Sequence, residues 1–522
     1  YAPNIVTMIG LGVAIDYSLF IVSRFREEIR VHDGPHALAR TMATAGRAIL
    51  FSGLTVAIGL LGMVFLGLGN LGSIGWAGTL VVTLAVVYAL TLLPALLAVL
   101  GPRVNSLRLP FIHPERSRTG RGVWHGVAVT VMSHPWLVFL SVSTGLVILG
   151  LPFMHLRVGS GDVTALPPAA VSRRGDEALR EHFRGGDSNR ILVVVHYDDG
   201  SPLTEERVGD LYDLSRWLAG RPHVARVESL VDLDPSVTRA QYQLMATAPA
   251  EMLPDGVRQL LRQTVGGRVA LLVVSTPLKA SSPEARTLVQ EIRSSHPAMG
   301  GEVLVTGQTA FDLDIVDLVT RHAPRVVGLV MLATYVVLFL LLGSVLLPLK
   351  AVIMNLLSIS ASYGALVWIF QEGHLATWLD FTPGPIQTAT PIIMFCFVFG
   401  LSMDYEVLLL SRVGEEYERT GHTAHAVAEA LESTGRLITG AAAIMAPVFF
   451  GFATAGSVII QAVGIGIGLA VVIDATIVRA LLVPATMRLM GRWNWWAPAS
   501  LASLHRRLGL GERRANAEVV SR

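Results

Sequence analysis

Two aspartates set in apolar sequence, each followed by a tyrosine, are the residues best placed to do chemistry. One lies in Phe399-Gly-Leu-Ser-Met-Asp404-Tyr405-Glu406-Val-Leu-Leu-Leu-Ser411-Arg412, with Glu415 and Glu416 beyond it. The other lies in Leu11-Gly-Val-Ala-Ile-Asp16-Tyr17-Ser18-Leu-Phe-Ile-Val-Ser23-Arg24, with Glu27 and Glu28 beyond it. Asp16 therefore matches Asp404, Tyr17 matches Tyr405, Ser23 matches Ser411 and Arg24 matches Arg412. A carboxyl inside a membrane span costs about 2.5–3.5 kcal/mol on insertion scales and commonly marks an ion or proton path. Each Asp precedes its Arg by eight residues, which sets it roughly 12 Å deeper along a helix. Both carboxyls then lie near the middle of a hydrocarbon core about 30 Å thick. Low-dielectric surroundings disfavour the charged form of a carboxyl, so such a group can load and release a proton near neutral pH. A neighbouring phenol can donate a hydrogen bond to the ionised form. The competing reading is a structural acid paired with another helix. Recurrence at matching positions of two halves favours the functional one.

The elements that must position these pairs are membrane helices. The 522 residues are 52% hydrophobic and only 15% charged, with a mean hydropathy of +0.55, whereas soluble domains carry about 25% charged residues. Net charge is +2, which gives no nucleic-acid signal, and the single cysteine, Cys396, lies in an apolar run and reads as a packing residue. Nearly all basic residues are arginines, Lys279 and Lys350 being the only lysines. The chain begins at Tyr1 inside an apolar run, with no initiator Met or signal peptide, and reads as the C-terminal part of a larger protein or as a partial gene model.

The span-length rule of about 20 apolar residues predicts nine spans, near 1–24, 48–69, 74–100, 134–153, 325–343, 349–370, 388–411, 437–454 and 460–484. The resulting domains are 1–101 with three spans, 102–132 as a basic cytoplasmic linker and 133–154 with a fourth span. A soluble domain over 155–322, five further spans over 323–490 and an Arg- and Trp-rich cytoplasmic tail over 491–522 follow. Within 155–322 the pattern predicts strands at 190–197, 224–230, 268–275 and 302–306 and helices at 205–219 and 283–294. Two β-α-β units in one domain suggest a split, ferredoxin-like sandwich. Residues 231–266 between them carry a weaker, partly helical pattern.

Arginine or lysine occurs in the loops 25–46, 102–130, 343–350 and 412–436 and in the tail, and none in 70–73, 371–387 or 455–459. Basic loops stay cytoplasmic, which places 155–322 outside the cytoplasm. The repeat runs on past the Asp-Tyr pairs. Thr44-Ala-Gly46-Arg47 matches Thr434-Gly435-Arg436, and Leu93-Pro94-Ala95-Leu96 matches Val483-Pro484-Ala485-Thr486. Residues 1–100 thus correspond to 388–490, and the first half lacks the three spans and soluble domain that precede the second copy.

With those residues in view, the sequence resembles the MmpL (mycobacterial membrane protein large) family of the resistance-nodulation-division (RND) superfamily. The resemblance rests on Gly-Leu-Gly-Val-Ala-Ile-Asp16-Tyr17, Ser23-Arg-Phe-Arg-Glu-Glu28, Gly46-Arg-Ala-Ile-Leu-Phe-Ser-Gly-Leu-Thr55, Gly400-Leu-Ser-Met-Asp-Tyr-Glu-Val407 and Asp474-Ala-Thr-Ile-Val-Arg479. It implies an α-helical polytopic bundle of RND type with an extracytoplasmic α+β ferredoxin-like porter domain. It further implies that the chain runs from span 4 to span 12. Under the resemblance, Asp16, Tyr17, Asp404 and Tyr405 form the proton relay, and Ser52 lines the same path. The implied activity is proton-driven export of lipids or other hydrophobic molecules from a multi-pass protein of the cell membrane. It needs no cofactor beyond a proton gradient.

Other features read more blandly. Asp474 lies at a depth similar to Asp404 and could join the relay, but a structural role is favoured. Arg479, five residues on, should share no close helix face with it and is expected to snorkel to the cytoplasmic surface. Glu406 follows Tyr405 and is a secondary candidate, because the first copy has Ser18 there. Gly464-Ile-Gly466-Ile-Gly468 follows no strand and reads as close helix packing rather than a nucleotide loop. His422 and His425 lack further ligands for a metal site. Trp493, Trp495 and Trp496 beside Arg492 read as an interfacial anchor. No His-Glu cluster, Ser-His-Asp set or Walker motif occurs, so neither an enzyme nor an ATPase is expected. Partners are membrane lipids and a hydrophobic or lipidic substrate, with a second copy or envelope proteins as further candidates. A drug or metabolite efflux pump, a lipid-sensing regulator that does not pump, and a helper of protein secretion are the competing readings. Two midplane acids speak against the sensor, and the Asp-Tyr motif speaks against the secretion helper.

Overall fold

The computed structural model describes residues 2–106, 122–159, 161, 163–182, 189–248 and 255–508. The linker arginines Arg108, Arg116, Arg118 and Arg121 and the tail beyond Leu508 lie outside the described residues. The chain forms two compact units, Tyr1–Arg157 with Thr320–Arg522, and Val158–Val319.

The first unit is a helix bundle. It opens with α1 (Ala2–Glu28), α2 (Gly34–Thr41), α3 (Arg47–Gly62), α4 (Gly69–Leu90), α5 (Leu92–Leu100), α6 (Val123–Ser133) and α7 (Pro135–Gly150). Eight helical runs among the described residues are long and apolar enough to cross a membrane. The remaining expected span, at the start of the chain, is the 27-residue α1. The protein is a multi-pass membrane protein.

The second unit contains α8 (Val171–His182), β1 (Asn189–His196), α9 (Glu205–Ala219), β2 (Arg226–Glu228), α10 (Arg239–Thr247), α11 (Asp255–Thr264), β3 (Val269–Thr276), α12 (Pro283–Ser295) and β4 (Glu302–Thr306). Strands β2, β3, β1 and β4 lie side by side in that order, and every pairing between them is antiparallel. A β-α-β-β-α-β chain in this order is the ferredoxin-like arrangement. In β1 the residues Ile191, Val193 and Val195 are fully buried, and they share one core with Leu211, Leu214 and Leu218 of α9 and Val289 and Ile292 of α12. Two helices start on hydroxyl caps, Thr204 accepting from the Arg207 N–H and Ser282 from the Ala285 N–H. The 231–266 stretch, weakly patterned in sequence, supplies α10 and α11.

The first unit resumes at Thr320, within α13 (Gln308–Leu342), and continues with α14 (Leu346–Leu366), α15 (Ala389–Thr420), α16 (Thr423–Gly451), α17 (Val458–Val472) and α18 (Val483–Met490). Helix α15 is the axis of this unit, with nearly every residue from Thr390 to Val413 buried. Glycines let its neighbours approach. A Cβ at Gly59 of α3 would stand 2.5 Å from the Cys396 carbonyl oxygen, and one at Gly400 would stand 2.8 Å from the Val56 Cα. Backbone contact of this kind is how membrane helices pack in the absence of a hydrophobic drive. Gly12, the repeat partner of Gly400, meets Met445 of α16, the repeat partner of Val56. Each Asp-bearing helix therefore packs on the second span of the other half, by the same residue position. The Gly464–Gly468 series also serves packing: a Cβ at Gly464 would stand 2.7 Å from the Phe449 carbonyl, and one at Gly466 would stand 2.5 Å from Met394.

Two expectations are corrected here. Lys350 belongs to no loop. It lies within α14 and is buried, so the connection between α13 and α14 carries no basic residue to mark a cytoplasmic side. Arg479 does not snorkel. Its helical run continues to Trp495, and the side chain is 1% exposed. The aromatic tail also divides. Trp495 stacks on Tyr417 with ring centroids 4.9 Å apart, whereas Trp493 and Trp496 are exposed.

Candidate functional site

Adjacent residues on a helix diverge by about 100°, so an Asp and the Tyr beside it cannot face the same neighbour. The structure resolves this by exchange between the halves. The Tyr17 hydroxyl donates to Asp404 Oδ2 at 3.4 Å. Asp16 interacts with Tyr405 of the opposite half and lies within hydrogen-bonding reach of it. Each aspartate thus faces the phenol of the opposite half. Ser52 of α3 donates to the Tyr17 hydroxyl at 3.3 Å and lies within hydrogen-bonding reach of Asp404.

All five residues line one cavity of ≈ 40 Å³, walled on the apolar side by Phe20, Ile49 and Leu408. A water needs about 10–15 Å³ in this measure and two or more polar partners, so the cavity has the size and lining to hold water beside both carboxyls. The two halves differ at this point. Ala441 lines the cavity where the repeat would place a second serine, and Tyr405 instead donates to Met445 Sδ at 2.9 Å.

Around Tyr405 lies a charged cluster present in the second half alone. Arg479 donates to Asp474 Oδ2 from Nε at 3.0 Å and from Nη2 at 2.7 Å. The same guanidinium donates to the Ser402 carbonyl, and its Cζ stands 5.1 Å from the Tyr405 ring centroid. The pairing of Asp474 with Arg479 was not foreseen from their five-residue separation. Residues Ile473–Leu482 form a π-helix, whose i to i+5 geometry stacks positions 474 and 479 on one face. The matching stretch of α4 holds no charged residue.

Glu406 is buried on the same helix, and Lys350 of α14 interacts electrostatically with it. Lys350 was missed in the sequence, where it sat near a predicted span end; a lone lysine inside an apolar run is the signal that could have found it. Asp404 Oδ1, Glu406 Oε1, Asp474 Oδ1, Arg479 Nη1 and Lys350 Nζ have no hydrogen-bond partner among the described residues. Each carries a desolvation penalty while unpaired. Where each span ends, the motif closes with an ion pair: Arg24 to Glu27 at 3.0 Å and Arg412 to Glu415 at 2.7 Å. Arg412 also reaches Glu27 of the other half at 3.6 Å. Among the described residues no cluster suited to a metal ion occurs.

A family model described as "MMPL family" matches residues 1–138 and 164–514. The chain belongs to the MMPL family. This MMPL chain is 33% identical over 538 residues to the "Trehalose monomycolate exporter MmpL3" of Mycobacterium tuberculosis, covering 98% of this chain and 54% of that protein. It is 36% identical over 520 residues to the "Putative membrane protein SCO6666" of Streptomyces coelicolor, covering 98% and 65%. With the "Heme uptake protein MmpL11" of Mycobacterium tuberculosis it shares 33% over 513 residues, covering 97% and 49%. The chain spans about half the length of these two mycobacterial relatives. Among solved structures it is similar to SecDF in its super-membrane-facing form, with a TM-score of 0.49 and 13% identity, covering 94% of this chain and 54% of that one.

Proposed function

We propose that this MMPL protein is a secondary transporter that moves lipids or other hydrophobic molecules across the cell membrane, driven by proton flow past Asp16, Tyr17, Asp404 and Tyr405. The supporting observation is the exchange of Asp-Tyr pairs between the halves around one cavity. A proton arriving on Asp404 weakens the charge-assisted bond it accepts from Tyr17 of the opposite half, so protonation is felt at the helix interface itself. Ser52 links Tyr17 to Asp404 and is proposed to pass protons between them. Glu406 and Asp474 act as accessories, Asp474 by holding Arg479 over Tyr405.

The soluble unit is proposed to be an extracytoplasmic porter domain that moves with the relay, and energy comes from the proton gradient without a cofactor. The name of the MmpL3 relative supports a lipid substrate and export. That relative is described as an exporter, and MmpL11 of Mycobacterium bovis as a probable transport protein.

The test is Asp404→Asn, which keeps size and removes the titratable group. Cells carrying wild type or variant at matched protein levels are compared for envelope lipids and small molecules. Retention of a specific lipid by the variant supports the lipid reading, and retention of a drug or metabolite makes the protein an efflux pump. Unimpaired transport by the variant refutes the relay.

A further inference from the structure

A second cavity, of ≈ 480 Å³, lies where α1 ends. Its walls include Phe25, Leu38, Met42, Pro94, Leu97 and Gly101, and every residue lining it is apolar or glycine. The volume falls within the range of about 300–1,000 Å³ typical of small-molecule sites. Phe25 follows Asp16 by nine residues, about 13 Å along the helix. With Asp16 near the midplane, the cavity stands at the edge of a core about 30 Å thick.

Two exposed arginines flank it, with the exposed Asp33 before the lining Gly34. Arg40 of α2, which also hydrogen-bonds His32, follows the lining residue Ala39, and Arg103 lies two residues beyond Gly101. The nearby acids are already engaged: Asp33 by His36 at 2.6 Å, and Glu27 and Glu28 by Arg24 at 3.0 and 2.9 Å. An apolar cavity at the edge of the hydrocarbon with arginines beyond it matches a molecule with a hydrocarbon tail and an anionic head. We infer that this cavity takes an acyl chain of an anionic phospholipid from the adjoining leaflet, with the phosphate held by Arg40 and Arg103. The inference is independent of the transport reading.

The test places the chain in nanodiscs of mixed phosphatidylglycerol and phosphatidylcholine and counts retained lipids by native mass spectrometry. Phosphatidylglycerol should be retained in preference. Removing both charges in the Arg40→Gln, Arg103→Gln double variant should lower that retention by about five-fold per arginine and leave phosphatidylcholine unchanged. Both arginines are exposed, so the fold is not at risk. Leu38→Trp, which fills the cavity, should lower retention of both lipids. Equal retention of the two lipids by wild type, or an unaltered preference in the double variant, overturns the inference. So does an Ala39→Cys variant that stays protected from a lipid-soluble maleimide after delipidation, because protein rather than lipid would then occupy the cavity.

Discussion

Arg479→Met should be among the most damaging single substitutions in the bundle, and a second substitution should largely undo the damage. The guanidinium is 1% exposed and makes two charge-assisted hydrogen bonds to Asp474 Oδ2, at 3.0 and 2.7 Å. Removing it leaves Asp474 with no cation beside it in a low-dielectric interior. Breaking one partner of a buried ion pair in this way costs about 3–5 kcal/mol. Asp474→Leu alone strands the guanidinium and should cost a similar amount. The double variant Asp474→Leu, Arg479→Met replaces the pair with apolar groups of comparable bulk. Such replacements are often neutral or stabilising, so the double should lie within about 1 kcal/mol of wild type or above it.

Reversible unfolding in detergent micelles gives the four stabilities of the cycle. A coupling energy of about 5 kcal/mol or more is expected. Costs that add to within about 0.5 kcal/mol, as they do for independent sites, would refute the claim that this pair is one energetic unit. Transport should not return with stability. The double variant still lacks the guanidinium that lies over the Tyr405 ring and bonds the Ser402 carbonyl. Misplacing a reacting group by about 1 Å can cost on the order of 100-fold in rate, so proton flux should stay low in a well-folded double variant.

Three further outcomes follow from the geometry. Gly59→Leu would put its Cβ 2.5 Å from the Cys396 carbonyl, forcing α3 from α15 at a cost of about 1–3 kcal/mol or more, readable as a lowered unfolding temperature. Ser52→Ala removes one neutral hydrogen bond to Tyr17, worth about 0.5–1.5 kcal/mol; proton flux in proteoliposomes should fall, and an added Ala441→Ser should not rescue it if the two halves are unequal. In the soluble unit, burial pushes the Tyr197 phenol up to about 12, with lesser contributions from Asp210 and Arg207. The unfolded chain therefore ionises first as pH rises above about 10, and wild type loses stability between about pH 10 and 12. The Tyr197 hydroxyl has no hydrogen-bond partner among the described residues, so Tyr197→Phe should be neutral or stabilising at pH 7 and should abolish that alkaline loss in a denaturation series.

The membrane repeat was legible because its information is local: an acid, a phenol and a basic stop recur in the same order, and hydropathy marks the helix that carries them. The sandwich of the second unit was legible for a similar reason, since β1, α9 and β4 each keep a clean periodicity of their own. What the sequence hid is what depends on a partner helix or on an irregular turn. Neighbouring Asp16 and Tyr17 seem joined along the chain, yet helix geometry sends them to different faces and each to the other half. Asp474 and Arg479 seem separated along the chain, yet ten residues of π-helix bring them together. A regular 3.6-residue period cannot register such a change, because the hydrophobic pattern on either side is undisturbed. The two hidden features converge on Tyr405, which is paired with Asp16 of one half and covered by Arg479 of the other. A bundle built from a repeat would be expected to run equivalent steps in each half. The second copy carries Glu406, Asp474 and Arg479 where the first has Ser18, Leu84 and Ala89, and Arg479 acts on both aspartates. Under the proposed relay the two aspartates are therefore unequal, because Asp404 accepts from a phenol that is itself bonded by Ser52, whereas the phenol facing Asp16 donates to Met445.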